Sequence, residues 1–304
     1  MPRKKSSSSS SSNYFKKDNN NNVNKKRKRK TTIINNNNAT SSPKRISLGD
    51  KQYKVESFKH IIGNNNSKPH TLLVGTMPSI TSHGLSQYYG HRNNAFWWII
   101  SDKFNFRRGG TNVNETWPYQ FGFKKDGSPL NVQAQILQAM KDTNRYEEDC
   151  NVPILSYDEQ VKCLNNNGYI LWDILKSAKI KNSDDNSIKD GVANDIFGLL
   201  IKYPTLNQIV FCSGSTSANL FKKVNKEKIQ ELLSNKHAQF HFESGNEAAL
   251  KVFKKGHFFE KQIKTKRAVK LIVPLSVSPA CAIKTYREKS NDWMKCVFKS
   301  NPLY

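Results

Sequence analysis

The sequence predicts an α/β protein: a three-layer α/β/α sandwich around a central four-stranded parallel sheet, preceded by a disordered tail. Three observations support this fold class. Four short runs are almost continuously apolar, as expected for parallel strands that are covered on both faces. Helical patterns separate the runs, and strands alternating with helices favour a parallel sheet. The first fifty of the 304 residues lack the apolar content of a core.

Residues 1–50 form the predicted tail. They contain ten serines and ten asparagines, with runs at 6–12, 19–22 and 35–38. Such polar tracts bury too little apolar surface to offset the entropy lost on ordering. Residues 51–304 are long enough for one large domain, and we expect that domain to carry the function.

The strands and helices follow in order along residues 51–304. Each predicted strand is an apolar run bounded by glycine, proline or small polar residues, and Ser215 or Thr216 can cap the helix that follows the third strand. Within residues 105–150, which give no clear elements, Thr116–Phe123 has no regular period and predicts a loop on the pocket side, whereas 235–266 read as a basic insertion. The predicted strands are His70–Met77, Gly168–Ile174, Gln208–Cys212 and Val269–Leu275, and the predicted helices are Asn94–Phe104, Tyr157–Asn165, Ile188–Tyr203, Ser217–Val224 and Lys284–Lys299.

The chain is strongly basic, which favours a polyanionic partner. It has 49 Lys and Arg against 24 Asp and Glu, a net charge of +25. Residues 1–50 hold 13 basic and 2 acidic residues, so the predicted domain is basic as well. One basic block, Lys25, Lys26, Arg27, Lys28, Arg29 and Lys30, fits a nuclear localisation signal bound by an import receptor, or a nonspecific DNA tether. We favour the first interpretation and predict a nuclear protein.

Membrane, secretory and metal sites are not predicted. No apolar stretch approaches the roughly twenty residues of a membrane span, and the amino terminus has no apolar signal core, so we expect a soluble intracellular protein. The five cysteines form no Cys-x-x-Cys pair, and no histidine pair has zinc-ligand spacing. An odd number of cysteines without a pattern indicates free thiols in a reducing compartment. We predict no metal and no cofactor.

The candidate functional residues lie where the predicted strands end. Gly75–Ser79, Asp173, Ser213–Gly214 and Ser276–Ala282 each follow or close a strand. Ligands of open parallel sheets bind outside the carboxyl ends of the strands. These segments, far apart in sequence, are therefore expected to meet at one mouth.

The richest of these segments runs from Gly75 to Trp98, GTMPSITSHGLSQYYGHRNNAFWW. Its rings can stack on a flat polar ligand and its amides can read the ligand's edge, as an enzyme acting on an extruded nucleobase requires. The segment resembles the uracil-DNA glycosylase superfamily, and most closely its hypoxanthine-DNA (deoxyinosine) glycosylase branch. The matching residues are Gly75, Pro78, Ser79, Tyr88, Tyr89, His91, Asn94, Phe96 and Trp97, whereas Thr76 and Arg92 depart from the branch pattern of Ser and Pro.

Three later segments extend the resemblance over roughly residues 51–300. Gly168–Leu175 is similar to the branch's second strand, and Phe211–Gly214 with the following helix to its third, with Ser213 in place of Asn. Leu275–Ala282 is similar to the second signature, with Cys281 in place of Asn.

The resemblance implies a monofunctional DNA glycosylase of base excision repair that acts on double-stranded DNA as a monomer. It removes a flipped deaminated base, hypoxanthine first and uracil second. Asn94 would orient the water or the departing base, although it also suits a helix N-cap, and His91 would donate to the base or a phosphate, although it also suits a structural position. Base contacts are expected from Gly75, Thr76, Pro78, Ser79, Tyr88, Tyr89 and Phe96, and DNA contacts from Ser276, Ser278, Pro279, Ala280, Cys281, Lys284 and Arg287.

Two other functions remain open on the same fold. One is a mismatch-specific uracil or thymine glycosylase. The other is a DNA-binding module without activity, which the departures at Thr76, Ser213 and Cys281 keep open. A nucleotide-binding Rossmann enzyme is disfavoured because the turn after the first strand lacks Gly-x-Gly-x-x-Gly.

Overall fold

The structure, a computed structural model, confirms the predicted α/β class. The predicted tail and its basic block lie outside the residues it describes, as do Arg92 and Ala282. The described residues are 53–62, 68–91, 93–109, 131–144, 151–181, 187–235, 237–254, 267–281 and 283–303.

A parallel sheet forms the centre of the fold. In the described part of the chain it has five strands in the order β5, β2, β8, β10, β9, and every neighbouring pair is parallel. All five carboxyl ends therefore lie at one edge. The strands are β2 (Thr71–Gly75), β5 (Tyr169–Asp173), β8 (Gln208–Phe211), β9 (Phe240–Ser244) and β10 (Arg267–Ile272).

Helices cover both faces of the sheet. Since side chains alternate along a strand, Leu73 and Leu171 pack in one core and Leu72 and Ile170 in the other. Residues of α2, α3, α4 and α9 join the first core, and residues of α5, α6, α7 and α8 join the second. The helices are α1 (Ile80–Gly84), α2 (Phe96–Phe104), α3 (Asn131–Asp142), α4 (Tyr157–Asn166), α5 (Ile196–Lys202), α6 (Ser215–Val224), α7 (Lys226–Ser234), α8 (Glu247–Lys254) and α9 (Tyr286–Cys296).

Five further strands build two smaller sheets. An antiparallel sheet has the order β1, β6, β7, and a parallel pair joins β3 to β4. Because β6 begins two residues after β5 ends, this antiparallel sheet lies next to the carboxyl edge of the main sheet. The strands are β1 (Tyr53–Glu56), β3 (Arg107–Arg108), β4 (Ile154–Leu155), β6 (Leu175–Ile180) and β7 (Lys189–Ala193).

Three segments differ from the sequence prediction. The main sheet gains β9 because Phe240 and Phe242, in the predicted basic insertion, pack in the second core. The predicted helix Ile188–Tyr203 is instead β7 followed by α5, since Asp195 accepts a hydrogen bond from the Gly198 amide at 3.2 Å and starts the helix there. Residues 105–150, for which the sequence predicted no elements, contain β3 and α3, and the predicted loop Thr116–Phe123 lies outside the described residues.

A buried carboxylate joins α2 to α9. Asp102 Oδ2 accepts hydrogen bonds from the Tyr286 hydroxyl and the Ser290 hydroxyl, each at 2.7 Å. All three residues are buried, and Tyr286 belongs to the first core, where Trp97 and Trp293 are fully buried. A buried charge is tolerated only when hydrogen bonds satisfy it, so this network fixes how the two helices meet.

Of the helices that the structure describes, none is long and apolar enough to cross a membrane.

Candidate active site

A cavity of about 320 Å³ opens at the carboxyl edge of the main sheet. It brings together segments that are about two hundred residues apart in the chain. Eleven of the residues predicted for the site line it: Gly75, Thr76, Pro78, Ser79, Tyr88, Tyr89, His91, Asn94, Ser278, Pro279 and Ala280.

Asp173 and Gly75 form one wall of the cavity. They are register partners on β5 and β2, and the Asp173 side chain is only 2% exposed. Asp173 Oδ2 accepts a hydrogen bond from the Ser57 hydroxyl at 2.8 Å. A Cβ at position 75 would lie 2.7 Å from Asp173 Oδ1, so the carboxylate can lie against β2 only because residue 75 is glycine.

Two tyrosines form the adjacent wall. The Tyr89 ring stacks on Phe96, with centroids 4.1 Å apart and planes 22° apart. Burial raises the pKa of the Tyr89 phenol well above its ordinary value, and Cys212 and Asp173 add to the effect, so the hydroxyl stays protonated. The Tyr88 hydroxyl has a structural role, since it donates a hydrogen bond to the Phe58 carbonyl at 3.1 Å.

A tight turn carries His91 and Asn94 to the mouth. The Asn93 amide donates to His91 Nδ1 at 3.2 Å, which places the proton of a neutral imidazole on Nε2. Asn94 Oδ1 accepts from the Phe96 amide at 2.9 Å, at the start of α2. The side chain therefore holds the turn before α2, whose N-cap residue is Ala95, and also lines the cavity, since an amide has a second oxygen lone pair and two further hydrogens.

The opposite rim is the loop Ser276–Cys281. The Ser278 hydroxyl accepts from the Ala280 amide at 3.2 Å, and the Ser278 carbonyl accepts from Lys289 Nζ on α9 at 3.1 Å. Burial lowers the pKa of the Lys289 ammonium. The Ala95 amide donates to the Val277 carbonyl at 3.0 Å, so the Asn94 turn and this loop are joined directly.

Five predicted site residues lie elsewhere. Phe96 is fully buried behind Tyr89, so the prediction of a direct base contact is wrong and the ring supports the wall instead. Lys284 pairs with Glu288 at 2.7 Å, and Arg287 pairs with Asp142. The remaining two, Ser276 and Cys281, line a second and larger groove beside the cavity.

The hydroxyl of Ser79 is also occupied. It accepts from the Ser82 amide at 3.1 Å as the N-cap of α1 and donates to the Ser82 hydroxyl at 3.0 Å. Ser79 therefore lines the cavity, but both hydrogen bonds of its hydroxyl stabilise the turn between β2 and α1.

Sequence reasoning missed two residues of the site. It placed Asp173 at the mouth but gave it no role, because only the register with Gly75 turns its carboxylate toward the cavity. Lys289 was missed because a lysine on a mixed-charge helix is usually solvated. Its position three residues after Tyr286 on the buried side of α9 was the available clue.

No group of three or more metal-ligating side chains occurs within the described ranges.

No protein-family profile matches the chain. A hypoxanthine DNA glycosylase of Methanosarcina acetivorans is 25% identical over 140 residues, 46% of this chain and 61% of that protein. One of Methanosarcina barkeri is 23% identical over 158 residues, 52% of this chain and 70% of that protein. The match thus spans less than two thirds of the first relative.

A solved structure is also similar. It is the solution NMR structure of a candidate uracil DNA glycosylase from Methanosarcina acetivorans, with a TM-score of 0.44 and 17% identity. The similarity covers 81% of this chain and 98% of that one.

The predicted nuclear localisation is contradicted by these relatives. They come from archaea, which have no nucleus, so the comparisons give no support to an import signal in the basic block or to an import receptor. The prediction rested on composition alone. A run of lysine and arginine has the same charge whether it binds an import receptor or a phosphate backbone, so composition does not distinguish the two.

The resemblance indicated by the sequence motifs rests on Gly75–Trp98 and Leu275–Ala282, which meet at one cavity. Both curated relatives carry the name of the branch that those motifs indicated. The similarity of this chain to the hypoxanthine-DNA glycosylase branch of the uracil-DNA glycosylase superfamily is thereby confirmed.

Proposed function

We propose that this protein is a monofunctional DNA glycosylase that hydrolyses the N-glycosidic bond of a flipped, deaminated base, with hypoxanthine preferred and uracil second. One observation carries the proposal: Asn94, Asp173 and the Ser278 loop line the same cavity. The cavity lies at the small end of ligand pockets, which are roughly 300–1,000 Å³, as suits a single base.

The buried carboxylate of Asp173 favours a deaminated base as the substrate. Deamination of adenine or cytosine replaces a ring nitrogen lone pair by an N–H next to a new carbonyl. Asp173 can accept a hydrogen bond from that N–H, whereas a lone pair facing the carboxylate would be repelled. Burial keeps the Tyr89 phenol protonated, so its hydroxyl can donate a hydrogen bond to the new carbonyl.

The turn at Asn94 supports hydrolysis. Bond cleavage gives the sugar oxocarbenium character and the departing base negative charge, so a positioned water and donors to the base are required. Asn94 orients the water or the departing base, and His91 donates from Nε2 to the base or a phosphate. An amide is a weak base, and most of the rate enhancement comes from electrostatics and positioning.

Water is the nucleophile. Among the described residues that line the cavity none is a lysine, so the site offers no amine for a Schiff base. The product is an abasic site in an uncut strand.

The test is base release from duplexes that contain inosine, uracil or a thymine mismatch, with wild type and Asn94→Ala. We expect hypoxanthine release to be fastest and the variant to lose about 10²–10³-fold in rate, the cost of removing one positioned polar group.

Two further variants separate chemistry from helix capping. Asn235→Ala removes the same kind of hydrogen bond, which Asn235 Oδ1 accepts from the His237 amide at 2.8 Å in a turn away from the cavity. Asn94→Asp keeps the acceptor for the Phe96 amide. We expect Asn235→Ala to retain activity and Asn94→Asp to retain stability but not wild-type activity. A wild-type protein that binds lesion DNA and frees no base would instead be the inactive binding module.

A further inference from the structure

The carboxylate of Asp173 is held by a residue from outside the main sheet. Asp173 is the last residue of β5, but the hydroxyl that donates to its Oδ2 at 2.8 Å belongs to Ser57, the residue after β1 of the antiparallel sheet. The two residues are 116 positions apart in the chain. Ser57 belongs to none of the segments to which the sequence assigned a function, and it is not among the described residues that line the cavity. Its contact with Asp173 therefore acts from behind the cavity wall.

The antiparallel sheet fixes the position of Ser57 relative to Asp173. The Ser57 amide donates to the Lys176 carbonyl at 2.8 Å, which extends the pairing of β1 with β6 by one residue. Asn194, the residue after β7, donates from Nδ2 to the Asp173 backbone carbonyl at 2.9 Å. Both the backbone and the side chain of Asp173 are thus bonded to residues that flank this small sheet.

The Ser57 hydroxyl has two acceptors within reach. Asp173 Oδ2 lies at 2.8 Å and the Phe58 carbonyl at 3.0 Å. A hydroxyl has one hydrogen, and a carboxylate is a stronger acceptor than a carbonyl, so the nearer carboxylate oxygen receives it. A planar carboxylate with one oxygen held in this way is restricted in its rotation, and the direction of its second oxygen is set.

The second oxygen of Asp173 faces the cavity. A Cβ at position 75 would lie 2.7 Å from Asp173 Oδ1 and 3.0 Å from the Tyr89 hydroxyl oxygen. Both oxygens therefore border the same point above Gly75, which lines the cavity. A hydrogen-bond acceptor and a hydrogen-bond donor lie side by side there.

We infer that Ser57 is a positioning residue for base recognition: by holding Oδ2 of Asp173, it directs Oδ1 toward the N–H that deamination creates in a base. This inference rests on the proposed function. Without the Ser57 hydroxyl the carboxylate can rotate away, and the N–H loses its acceptor. Because Ser57 acts through Asp173, its effect is confined to bases that carry this N–H.

The experiment measures binding of the full-length protein to two duplexes that differ in one base. Hypoxanthine carries the N–H and the carbonyl, whereas unsubstituted purine has neither. Fluorine at the 2′ position of the sugar disfavours oxocarbenium character, so binding is measured without base release. We expect wild type to prefer hypoxanthine. Ser57→Ala should bind the hypoxanthine duplex about tenfold or more weakly and the purine duplex within about twofold of wild type. Ser57→Thr retains the hydroxyl and should retain the preference.

A double-variant experiment tests whether Ser57 acts through Asp173. For release of hypoxanthine from an inosine duplex, Ser57→Ala should lower kcat/KM by about 10- to 100-fold, the factor for one hydrogen bond to a charged group. In the Asp173→Asn background the same change should cost about twofold or less, because no carboxylate is left to position. Losses that multiply in the double variant would overturn the inference.

The matched control is Ser244→Ala. The Ser244 hydroxyl donates to the Asn246 carbonyl at 2.7 Å at the end of β9, the strand at the far side of the main sheet from β5. This variant removes a hydroxyl at a strand end without affecting Asp173, and neither binding nor release should change.

The binding measurement also keeps the inference apart from the proposed function. If wild type frees no base but prefers the hypoxanthine duplex, and Ser57→Ala loses that preference, the glycosylase proposal fails and the role of Ser57 is retained. If wild type frees hypoxanthine and Ser57→Ala matches it in release and preference, the role of Ser57 is wrong and the glycosylase proposal is retained. Equal losses on both bases, or no preference in wild type, would also overturn the inference.

Discussion

Asp173 is the residue on which the proposed base selectivity depends. Asp173→Asn keeps the size of the side chain but removes the charge and can present an amide donor where an acceptor is needed. We expect kcat/KM for hypoxanthine release to fall by about 10- to 100-fold, since a hydrogen bond to a buried charge contributes about 1.5–3 kcal/mol. Steady-state kinetics on an inosine duplex measure it.

The control for this variant is Asp190→Asn, which removes an exposed carboxylate paired with Lys179 on the antiparallel sheet. Its activity should equal that of wild type. Unchanged hypoxanthine release by Asp173→Asn would show that the carboxylate does not contact the base.

Individual residues were predictable only where a motif carried them. The predicted cluster Tyr88, Tyr89, His91 and Asn94 lines the cavity, and the motif that follows β2 is what identified it in the sequence. Phe96 was misassigned because a ring at a helix start faces either the ligand or the core, and helical phase, not residue type, decides which. Asp173 needed a strand register, which no local pattern contains.

The helix α9 follows the Ser276–Cys281 loop, and the charge at its amino terminus makes the stability of the helix depend on pH. Hydrogen bonds from Lys284 and then Thr285 lower the pKa of Glu288 from 4.5 to about 2. A lowered carboxylate pKa contributes stability above the unfolded-state value, and this contribution is lost as pH falls from about 4.5 to 2.

Glu288→Gln should therefore melt at a lower temperature than wild type at pH 7, and the difference should vanish near pH 2. Thr285→Ala should also destabilise the protein, by about 0.5–2 kcal/mol, the usual cost of a lost N-cap, whereas Thr285→Ser should not. Melting temperatures of the variants and of wild type, measured from pH 7 to 2, test these expectations. A constant difference at all pH values would mean that the charge of Glu288 has no part in the cap.

The elements were predictable where periodicity was unambiguous. The four predicted strands correspond to β2, β5, β8 and β10 because apolar runs between small residues leave no other placement. The strand β9 was missed because its phenylalanines alternate with polar residues in a basic context, and β7 was missed because its side chains are mostly exposed and Gly191 interrupts any pattern.

Over the whole molecule, positive charge is the dominant property. The basic block at 25–30 remains interpretable as a DNA tether. We expect its replacement by six glutamines, in the full-length chain, to make the slope of log K for DNA binding against log salt shallower by up to about 5, since each phosphate contact contributes about 0.9. Replacing six serines of the run at 6–12 with glutamine is the matched control, and an unchanged slope would show that the block does not contact the backbone.

The topology of the whole sheet could be predicted only in part. Alternating elements establish a parallel sheet and the edge where ligands bind. They do not establish the strand order, in which β2 lies between β5 and β8, because that order depends on long-range packing of both helical layers. The juxtaposition of the two signature segments follows from this order.

The contact of Asp102 with α9 has a consequence for how damage would be found. It locks together the helix that starts beside Asn94 and the helix whose lysine holds the Ser278 loop. Because both sides of the cavity are connected in this way, we expect the cavity to be preformed and to change little in shape when a ligand binds. On the proposed function, the nucleotide must then leave the base stack without help from closure of the protein. Lesions that pair weakly cost less free energy to extrude, so we expect them to enter the cavity more readily.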